Sequence, residues 1–450
     1  MRLMSELSPT STRSLLAYSG PSIAISIMML PLLVYIPPFY GQEVGLDLGT
    51  VGMIFLLARA WDALIDPVVG FCSDRTRSRW GRRKPWIAIA TPLLLLLLYA
   101  FYQPPQSAGA AYLAIVVFAF YVCLTLFQIP YLSWGAELTR KYDGRTRVTA
   151  FREGAIMVGT VIATAAPVLY FAGSEPSLRE TLRLFTVIIL VTLPVAVLMA
   201  LKFTPAIAST SDSQPSLGKA LSTLATNKLF LRVACGVFFL WLGGSFYNSL
   251  VLFVVQQIVG LPMSGFFQLV LVQYVVGILF IPFWVWLANR IGRHRALLAG
   301  AATFFVSLPL LAMIEPGNLT QAIWVYVLKG VGTCVIWVLP PALAADTIEY
   351  GMLKGAGDDA AMTMSLFMFT QKLAFAAGIG IALPLAGALG FDPREMATID
   401  GLTGLRWVAL YLPGLIGIVG ALLLFNYPLT ARRHAVIRRR LERLGRISRS

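Results

Sequence analysis

Two carboxylates interrupt an apolar segment that begins near Leu48. Asp62 and Asp66 are four residues apart, so on a helix both project to one face, where their oxygens are close enough to share a hard cation such as sodium. Without a cation, the pair in a low dielectric would hold a proton instead. Acids inside a membrane-length segment are costly and usually face an internal cavity. The pair therefore predicts a binding site for a cation or a proton, unless both acids are salt-bridged to structural bases.

The composition places these acids in a membrane protein. Hydrophobic residues make up 58% of the chain, charged residues make up 13%, and the mean hydropathy is +0.76, far outside the range of soluble domains. The net charge is +15, but the bases are concentrated in short loops between apolar runs, so we expect no nucleic-acid partner. The chain has no nucleotide-binding loop, metal-site spacing or nucleophile constellation. This disfavours an enzyme or a primary pump and predicts no cofactor.

The elements that must position the acids are membrane-spanning helices. About twelve apolar runs are long enough to cross about 30 Å of hydrocarbon, which predicts an all-α integral membrane protein. They lie near Ser14–Tyr40, Leu48–Cys72, Pro85–Tyr102, Gly109–Gly135, Thr149–Phe171, Leu182–Leu201, Leu229–Val259, Ser264–Ala288, Arg295–Met313, Gln321–Ala345, Met362–Gly390 and Leu405–Phe425.

The charges of the loops give an orientation. Arginine and lysine follow the second, fourth and eighth runs, whereas loops such as 41–47 and 392–400 are acidic or nearly neutral. Basic loops stay on the cytoplasmic side, so we expect a multi-pass protein of the inner (plasma) membrane with both termini in the cytoplasm. The last residues, 429–450, form a basic tail that we expect to lie on the anionic inner leaflet.

A weak internal repeat divides the chain. Asp74-Arg75 and Gly81-Arg82-Arg83 follow the second run, and Asn289-Arg290 and Gly292-Arg293 follow the eighth, six runs later. The longest internal polar stretch separates the two halves. We therefore predict an N-terminal six-helix bundle (1–203), a cytoplasmic central loop (204–227), a C-terminal six-helix bundle (228–428) and the tail. Two pseudo-symmetric bundles with a site between them form the major facilitator fold.

Several motifs resemble one family of transporters. The densest runs from Trp61 to Trp86, WDALIDPVVGFCSDRTRSRWGRRKPW. Further matches are Pro130-Tyr131, Glu137-Leu138-Thr139, Phe151-Arg152, Ala345-Asp346-Thr347, Glu349-Tyr350-Gly351, Lys372 with Ala374-Phe375-Ala376, and Tyr427-Pro428-Leu429. These residues resemble the melibiose permease-like glycoside-pentoside-hexuronide:cation symporters over nearly the whole chain. The resemblance implies cation-coupled transport, although that family is broader than sugars and includes a lysophosphatidylcholine symporter.

The resemblance also implies a composition for the cation site. It makes Asp62 and Asp66 cation ligands, and it matches Thr125 on the fourth run to a threonine on the ligand side. Gln128 stands where the melibiose-transporting member has a further aspartate, so this site should hold its cation less tightly or depend more on protons. Lys372 is alone in the apolar eleventh run. Two acids and one lysine leave a net charge of minus one, which suits one monovalent cation, sodium or proton.

The substrate side of the site is less sharply defined by the sequence. By the resemblance, Arg152 matches an arginine near the sugar and Trp337 matches a tryptophan that stacks on a pyranose ring, a reasonable sugar contact. We add Lys372, and Tyr131 and Asn248 as further aromatic or polar candidates. Isolated tryptophans in membrane helices are as often packing or interfacial residues.

Two departures from the family pattern concern the substrate. No acid occurs between Glu6 and Glu43, so the sugar-binding aspartate of the first helix is missing, and Leu132 replaces a tryptophan. An almost wholly apolar first helix would favour an amphiphile, because an unpaired sugar hydroxyl is costly to bury. The other explanation is a smaller glycoside whose hydroxyls meet Arg152, Gln128 and Asn248.

Charged residues at the inner loops are candidates for a gate. They could form ion pairs that close the cytoplasmic side and that break during alternating access. The alternative is a solvated topology signal. The candidates are Asp74, Arg75, Arg82, Arg83, Glu137 and Arg140.

Together these patterns predict a secondary symporter. We expect a monovalent cation, sodium or proton, to drive uptake of a glycoside or related sugar by alternating access, with a lysophospholipid-like amphiphile as the alternative substrate. A third interpretation is a membrane receptor or assembly protein that transports nothing. We expect the small-molecule substrate and the lipid bilayer as partners, and a monomer.

Overall fold

A computed structural model describes residues 11–139, 142–205, 227–353, 360–393 and 398–428. Within these residues twelve helices are long and apolar enough to cross a membrane, and they coincide with the twelve apolar runs of the sequence. The basic tail after 428, and the central loop except for its first two residues and its last residue, lie outside the described part of the chain.

We number the spanning helices α1 to α12. Their bounds are α1 Thr12–Val34, α2 Leu48–Arg75, α3 Lys84–Tyr102, α4 Ala110–Glu137, α5 Tyr142–Tyr170, α6 Leu178–Phe203, α7 Lys228–Phe253, α8 Met263–Ile291, α9 Arg293–Leu310, α10 Leu319–Leu353, α11 Ala360–Ala388 and, for α12, Ile399–Arg406 and Leu412–Phe425 joined by the π-helical turn Trp407–Tyr411. A short helix, Ile36–Gln42, follows α1, and a π-helical turn, Val254–Ile258, extends α7.

Local chemistry fixes where the acid-bearing helix begins and ends. The side chain of Asp47 caps the start of α2 by accepting a hydrogen bond from the backbone N–H of Thr50 at 2.8 Å, which satisfies one of the donors left open at a helix start. The helix ends at Arg75, after which Thr76 is extended. Asp62 and Asp66 therefore lie in the second half of one continuous helix.

The chain divides into two compact units. Unit 1 comprises residues 1–211 together with 262–271 and 392–397, and unit 2 comprises 212–261, 272–391 and 398–450. In unit 1, α1 packs on α5 and α6, and α4 packs on α2 and α3. In unit 2, α7 packs on α11 and α12, and α10 packs on α9. Three pairings of unit 1, α1–α5, α1–α6 and α3–α4, thus recur six helices later.

Small residues allow the equivalent helices to approach closely. A Cβ on Gly159 of α5 would lie 2.4 Å from the carbonyl oxygen of Ile23 on α1, and a Cβ on Gly378 of α11 would lie 2.2 Å from the hydroxyl of Ser245 on α7. Lipid tails are as apolar as leucine, so membrane helices associate largely through such close packing. The α1–α5 and α7–α11 contacts therefore use the same device.

Candidate functional site

The two acids of α2 meet a hydroxyl of α4. The Thr125 hydroxyl oxygen lies 2.5 Å from Oδ1 of Asp62 and 3.1 Å from Oδ1 of Asp66. Asp62 and Thr125 are each 2% exposed. A hydroxyl has one proton, so Thr125 donates to one carboxylate at a time. Three oxygens from two packed helices therefore converge at one point, as a hard monovalent cation or a shared proton requires.

An arginine that the sequence analysis did not select completes this cluster. Arg59 lies three residues before Asp62, and its guanidinium nitrogen is 3.7 Å from Oδ2 of that carboxylate. The guanidinium carbon also lies 4.4 Å from the centre of the Tyr121 ring. The signal was available, because Arg59 is a basic residue in the same apolar run as the two acids. The two carboxylates and the guanidinium give this cluster a net charge of minus one.

Gln128 and Lys372 are the remaining cation-site candidates. Gln128 is half-buried on α4, three residues after Thr125, and so lies on nearly the same helix face. Lys372 is half-buried on α11 of unit 2. The guanidinium of Arg59 is therefore a positive charge beside Asp62, and charge balance by Lys372 stays a prediction.

Two substrate candidates of unit 1 have different surroundings. Arg152 on α5 donates to the Glu153 carboxylate at 2.7 Å, and its Nε is buried without a hydrogen-bond partner among the described residues. Tyr131 is buried between α1 and α4, where its hydroxyl donates to the carbonyl of Tyr18 at 2.7 Å and lies 2.8 Å from the Ser22 hydroxyl. Its ring stacks on Tyr18. Tyr131 therefore joins two helices, whereas Arg152 keeps an open donor.

The candidates of unit 2 include an exposed aromatic face. Trp337 on α10 is 43% exposed and stacks on Phe375 of α11, with ring centres 5.5 Å apart and planes at 16°. Phe375, which the sequence analysis did not assign to the substrate, lies one turn after Lys372. Asn248 on α7 is half-buried. Unit 2 therefore offers a flat aromatic surface of the kind that stacks on a sugar ring.

Most of the charged gate candidates form one network inside unit 1. Arg83 is its centre: it donates to Glu137 at 2.9 Å, to the hydroxyl of Ser73 at 2.7 Å and to the carboxylate of Asp74. Arg82 donates to the same oxygen of Glu137 at 2.7 Å. These contacts tie the end of α2 and the following loop to the end of α4. They stabilise unit 1 internally, and a gating role for them stays a prediction.

The last two gate candidates are Arg75 and Arg140. The Arg75 guanidinium stacks on the ring of Phe71, 3.4 Å from its centre, and is exposed. Arg140 falls outside the described residues.

Unit 2 contains a matching ion pair at the repeated motif. Gly292, like Gly81 in unit 1, has a positive φ, of 96° against 86°. Arg293 then donates to Asp346 and to the carbonyl of Ala342 on α10. Burial raises the pKa of the nearby Tyr427 hydroxyl, and the charge of Asp346 adds to this rise. Each unit therefore uses an arginine after a left-handed glycine to join consecutive helices.

Comparison with known proteins decides the family. The model of a family described as "MFS/sugar transport protein" matches residues 17–431. The chain belongs to this family. MFS/sugar transport proteins are membrane transporters, so the chain is a multi-pass membrane transporter of a small molecule and not an enzyme.

The relatives of this MFS/sugar transport protein are named after different substrates. The glucuronide carrier protein homolog of Escherichia coli is 25% identical over 94% of both chains. The isoprimeverose transporter of Lactiplantibacillus pentosus is 24% identical over 88% of this chain and 84% of its own. The sodium-dependent lysophosphatidylcholine symporter 1 of Mus musculus is also 24% identical, over 90% and 84%.

A solved structure supports the fold. The bacterial homologue of the human lysosomal transporter Spinster has a TM-score of 0.70, with 14% identity over 96% of this chain and 99% of its own. The predicted all-α major facilitator fold is therefore confirmed, as is the resemblance to the glycoside-pentoside-hexuronide symporters.

Proposed function

We propose that this MFS/sugar transport protein is a secondary active symporter that couples one monovalent cation, sodium or proton, to uptake of a glycoside or related sugar by alternating access. The observation that carries the proposal is the convergence of Asp62, Asp66 and Thr125 beside Arg59, with a net charge of minus one. One bound monovalent cation or proton neutralises this cluster. Neutrality removes the cost of holding an uncompensated charge in a low dielectric.

Coupling follows from differential binding to the states of the transporter. A cation that binds one state more tightly shifts the population toward that state, and a substrate that prefers the same state then binds more tightly. The cation moves down its gradient and the substrate moves with it. In this scheme Gln128 assists the acids at the cation, and Lys372 and Arg152 bind polar groups of the substrate.

A sugar is the first choice of substrate because of the aromatic face of unit 2. The stacked rings of Trp337 and Phe375 present a flat surface, and the open Nε donor of Arg152 suits a hydroxyl or carboxylate. Asn248 is a further polar candidate. The names of the glucuronide carrier homolog and the isoprimeverose transporter support this choice.

A lysophospholipid-like amphiphile is the second candidate, and the character of α1 favours it. The Ser22 hydroxyl is bonded to Tyr131 and the Ser26 hydroxyl to the carbonyl of Ile156, so these polar groups of α1 are already satisfied. An apolar wall suits an acyl chain better than sugar hydroxyls. The lysophosphatidylcholine symporter among the relatives supports this alternative.

The remaining features complete the proposal. We place the chain as a monomer in the inner (plasma) membrane, with both termini cytoplasmic, on the strength of its basic loops. The inner end of unit 1 is held together by Arg82, Arg83, Asp74 and Glu137. A change in this network shifts the equilibrium between the states of alternating access.

Uptake into right-side-out membrane vesicles tests the proposal. Labelled glucuronides, pentosides and lysolipids are offered with an inward sodium gradient, an inward proton gradient, or neither. We expect glycoside uptake to rise with one gradient and to lose that rise in Asp66→Asn. Asp47→Asn, which makes the same substitution at an exposed helix cap, should keep it, since asparagine also caps helices. Uptake of lysolipid alone would favour the second candidate, and gradient-independent behaviour for every compound would refute symport of these classes.

A further inference from the structure

A lysine of unit 2 is buried among aromatic side chains. Lys329 lies on α10, and it, Tyr247 of α7 and Tyr326 of α10 are all 0% exposed. The Lys329 Nζ is 2.8 Å from the Tyr247 hydroxyl, which is 2.9 Å from the Tyr326 hydroxyl. The same nitrogen lies 3.6 Å from the centre of the Tyr326 ring and 4.2 Å from that of Tyr247. The three side chains therefore form one connected polar chain inside the unit.

In the described part of the chain, Lys329 forms no ion pair with an Asp or Glu. Asp346, on the same helix, is seventeen residues away, or about 25 Å of helix. An ammonium without a carboxylate is costly to bury, although ring faces offset part of the cost.

The described contacts from α8 and α9 around this cluster come from uncharged side chains. From α9, the uncharged ring of Phe304 packs edge-on against Tyr247. From α8, the amide of Gln273 bonds Thr333, one turn after Lys329. On α11, Lys372 lies one turn before Phe375. The Phe375 ring stacks on Trp337, which lies about two turns beyond Lys329 along α10.

Counting hydrogen-bond donors distinguishes the two protonation states. If Lys329 is a neutral amine, Tyr326 donates to Tyr247 and Tyr247 donates to the amine lone pair, so both hydroxyl protons are used. If Lys329 is an ammonium, it donates to Tyr247, Tyr247 donates to Tyr326, and the Tyr326 proton has no further acceptor among the described residues. Buried polar groups without partners are rare and costly. The closed cluster therefore suits the amine, and the hydroxyl chain reverses when a proton binds.

We propose that Lys329, with Tyr247 and Tyr326, is a second proton-binding site of the transporter, located in unit 2 and separate from the carboxylates of α2. A proton from water binds the amine lone pair when movement of α7 or α10 admits water, and the two hydroxyls turn to follow it. Water in the opened cluster takes the proton back before the cluster closes again, which restores the amine. This inference does not depend on the identity of the substrate or of the coupling ion at Asp62 and Asp66.

Solid-state NMR of the full chain in liposomes tests the proposal without any substrate. The protein contains eight lysines, and a ¹⁵N label on Nζ distinguishes an amine from an ammonium by chemical shift. A ¹³C label on Cζ of tyrosine then selects the lysine that lies beside a tyrosine hydroxyl, so Lys329 is identified in the unaltered protein. Lys329→Arg, which removes only this signal, confirms the assignment where that variant folds.

The outcomes separate a proton site from a structural lysine. We expect an amine signal in alkaline buffer that converts to an ammonium signal on acidification, within the pH range in which ordinary lysines stay charged. An ammonium signal over the whole range would make Lys329 a permanent positive charge and overturn the proposal. An amine that never converts, or no coupling between a lysine Nζ and a tyrosine Cζ, would overturn it as well.

Discussion

Removal of the arginine beside the acids should strengthen cation binding, although it deletes a contact of the site. The guanidinium of Arg59 lies 3.7 Å from Asp62 and repels any cation held by Asp62, Asp66 and Thr125. Arg59→Gln changes the net charge of the cluster from minus one to minus two. With a charge separation of about 6 Å and an effective dielectric of about 20, Coulomb's law gives about 3 kcal/mol, or about a 100-fold gain in affinity.

The same substitution should lower stability when no cation is present. Breaking a buried ion pair by removing one partner leaves an uncompensated charge and costs about 3–5 kcal/mol. A bound cation restores that charge, so we expect Arg59→Gln to melt at a lower temperature than the unaltered protein in sodium-free buffer and to gain more from added sodium, because ligands that bind only the folded state raise its stability.

Thermal unfolding of the purified chain, followed by intrinsic fluorescence during a sodium titration, measures both effects. The work is done at about pH 8 because protons compete for the same carboxylates. Arg59→Lys keeps the positive charge and should resemble the unaltered protein. Unchanged or weaker sodium binding in Arg59→Gln, with Arg59→Lys behaving normally, would refute the electrostatic reasoning.

Three further predictions concern the network, the aromatic face and the helix packing. Glu137→Gln removes the carboxylate that two arginines share, so we expect a loss of about 2 kcal/mol in stability, seen as a lower melting temperature. Trp337→Ala removes the outer ring of the stacked pair, so we expect an increase of about 2- to 10-fold in the KM for a transported glycoside. Gly159→Ala places a methyl group 2.4 Å from the Ile23 carbonyl, so we expect a loss of about 1–3 kcal/mol, also seen in the melting temperature.

Each of these predictions has a matched control, in which the same substitution is made at another position of the chain. Glu153→Gln removes an exposed carboxylate that pairs with a single arginine, Trp324→Ala removes a 70% exposed tryptophan of the same helix, and Gly154→Ala adds a methyl group with nothing within 4 Å. We expect little change in each control. Equal effects in Glu137→Gln and Glu153→Gln would contradict the network, and equal transport in Trp337→Ala and the unaltered protein would remove the stacking face from the site. A normal melting temperature for Gly159→Ala would contradict the packing argument.

The sequence predicted the helices well because hydrophobicity alone determines which segments cross a membrane. All twelve runs became spanning helices, and the motifs after the second and eighth runs became matching arginine contacts. The proximity of Thr125 to the acids of α2 was implied by the family resemblance and agrees with the geometry.

The facing of single polar residues could not be predicted in the same way. A membrane helix is apolar on all sides, so its pattern does not reveal which face is internal. The structure shows that Tyr131 joins α1 to α4 and that Arg75 lies on Phe71, contacts that the sequence did not indicate, and their roles at the substrate and in the gate stay predictions. Lys329 was overlooked because one of its partners, Tyr247, is eighty-two residues away in the sequence.

The central claim is that the carboxylate pair binds one monovalent cation or proton. Equilibrium binding of radioactive sodium to the purified chain in lipid nanodiscs, with protons released into a weakly buffered medium recorded in the same sample, tests it most directly. We predict that each chain binds one sodium ion, or one proton if the transporter is proton-coupled. Asp66→Asn should lose this ion, and Asp47→Asn should keep it. An Asp66→Asn protein that binds sodium and protons as the unaltered chain does would contradict the account.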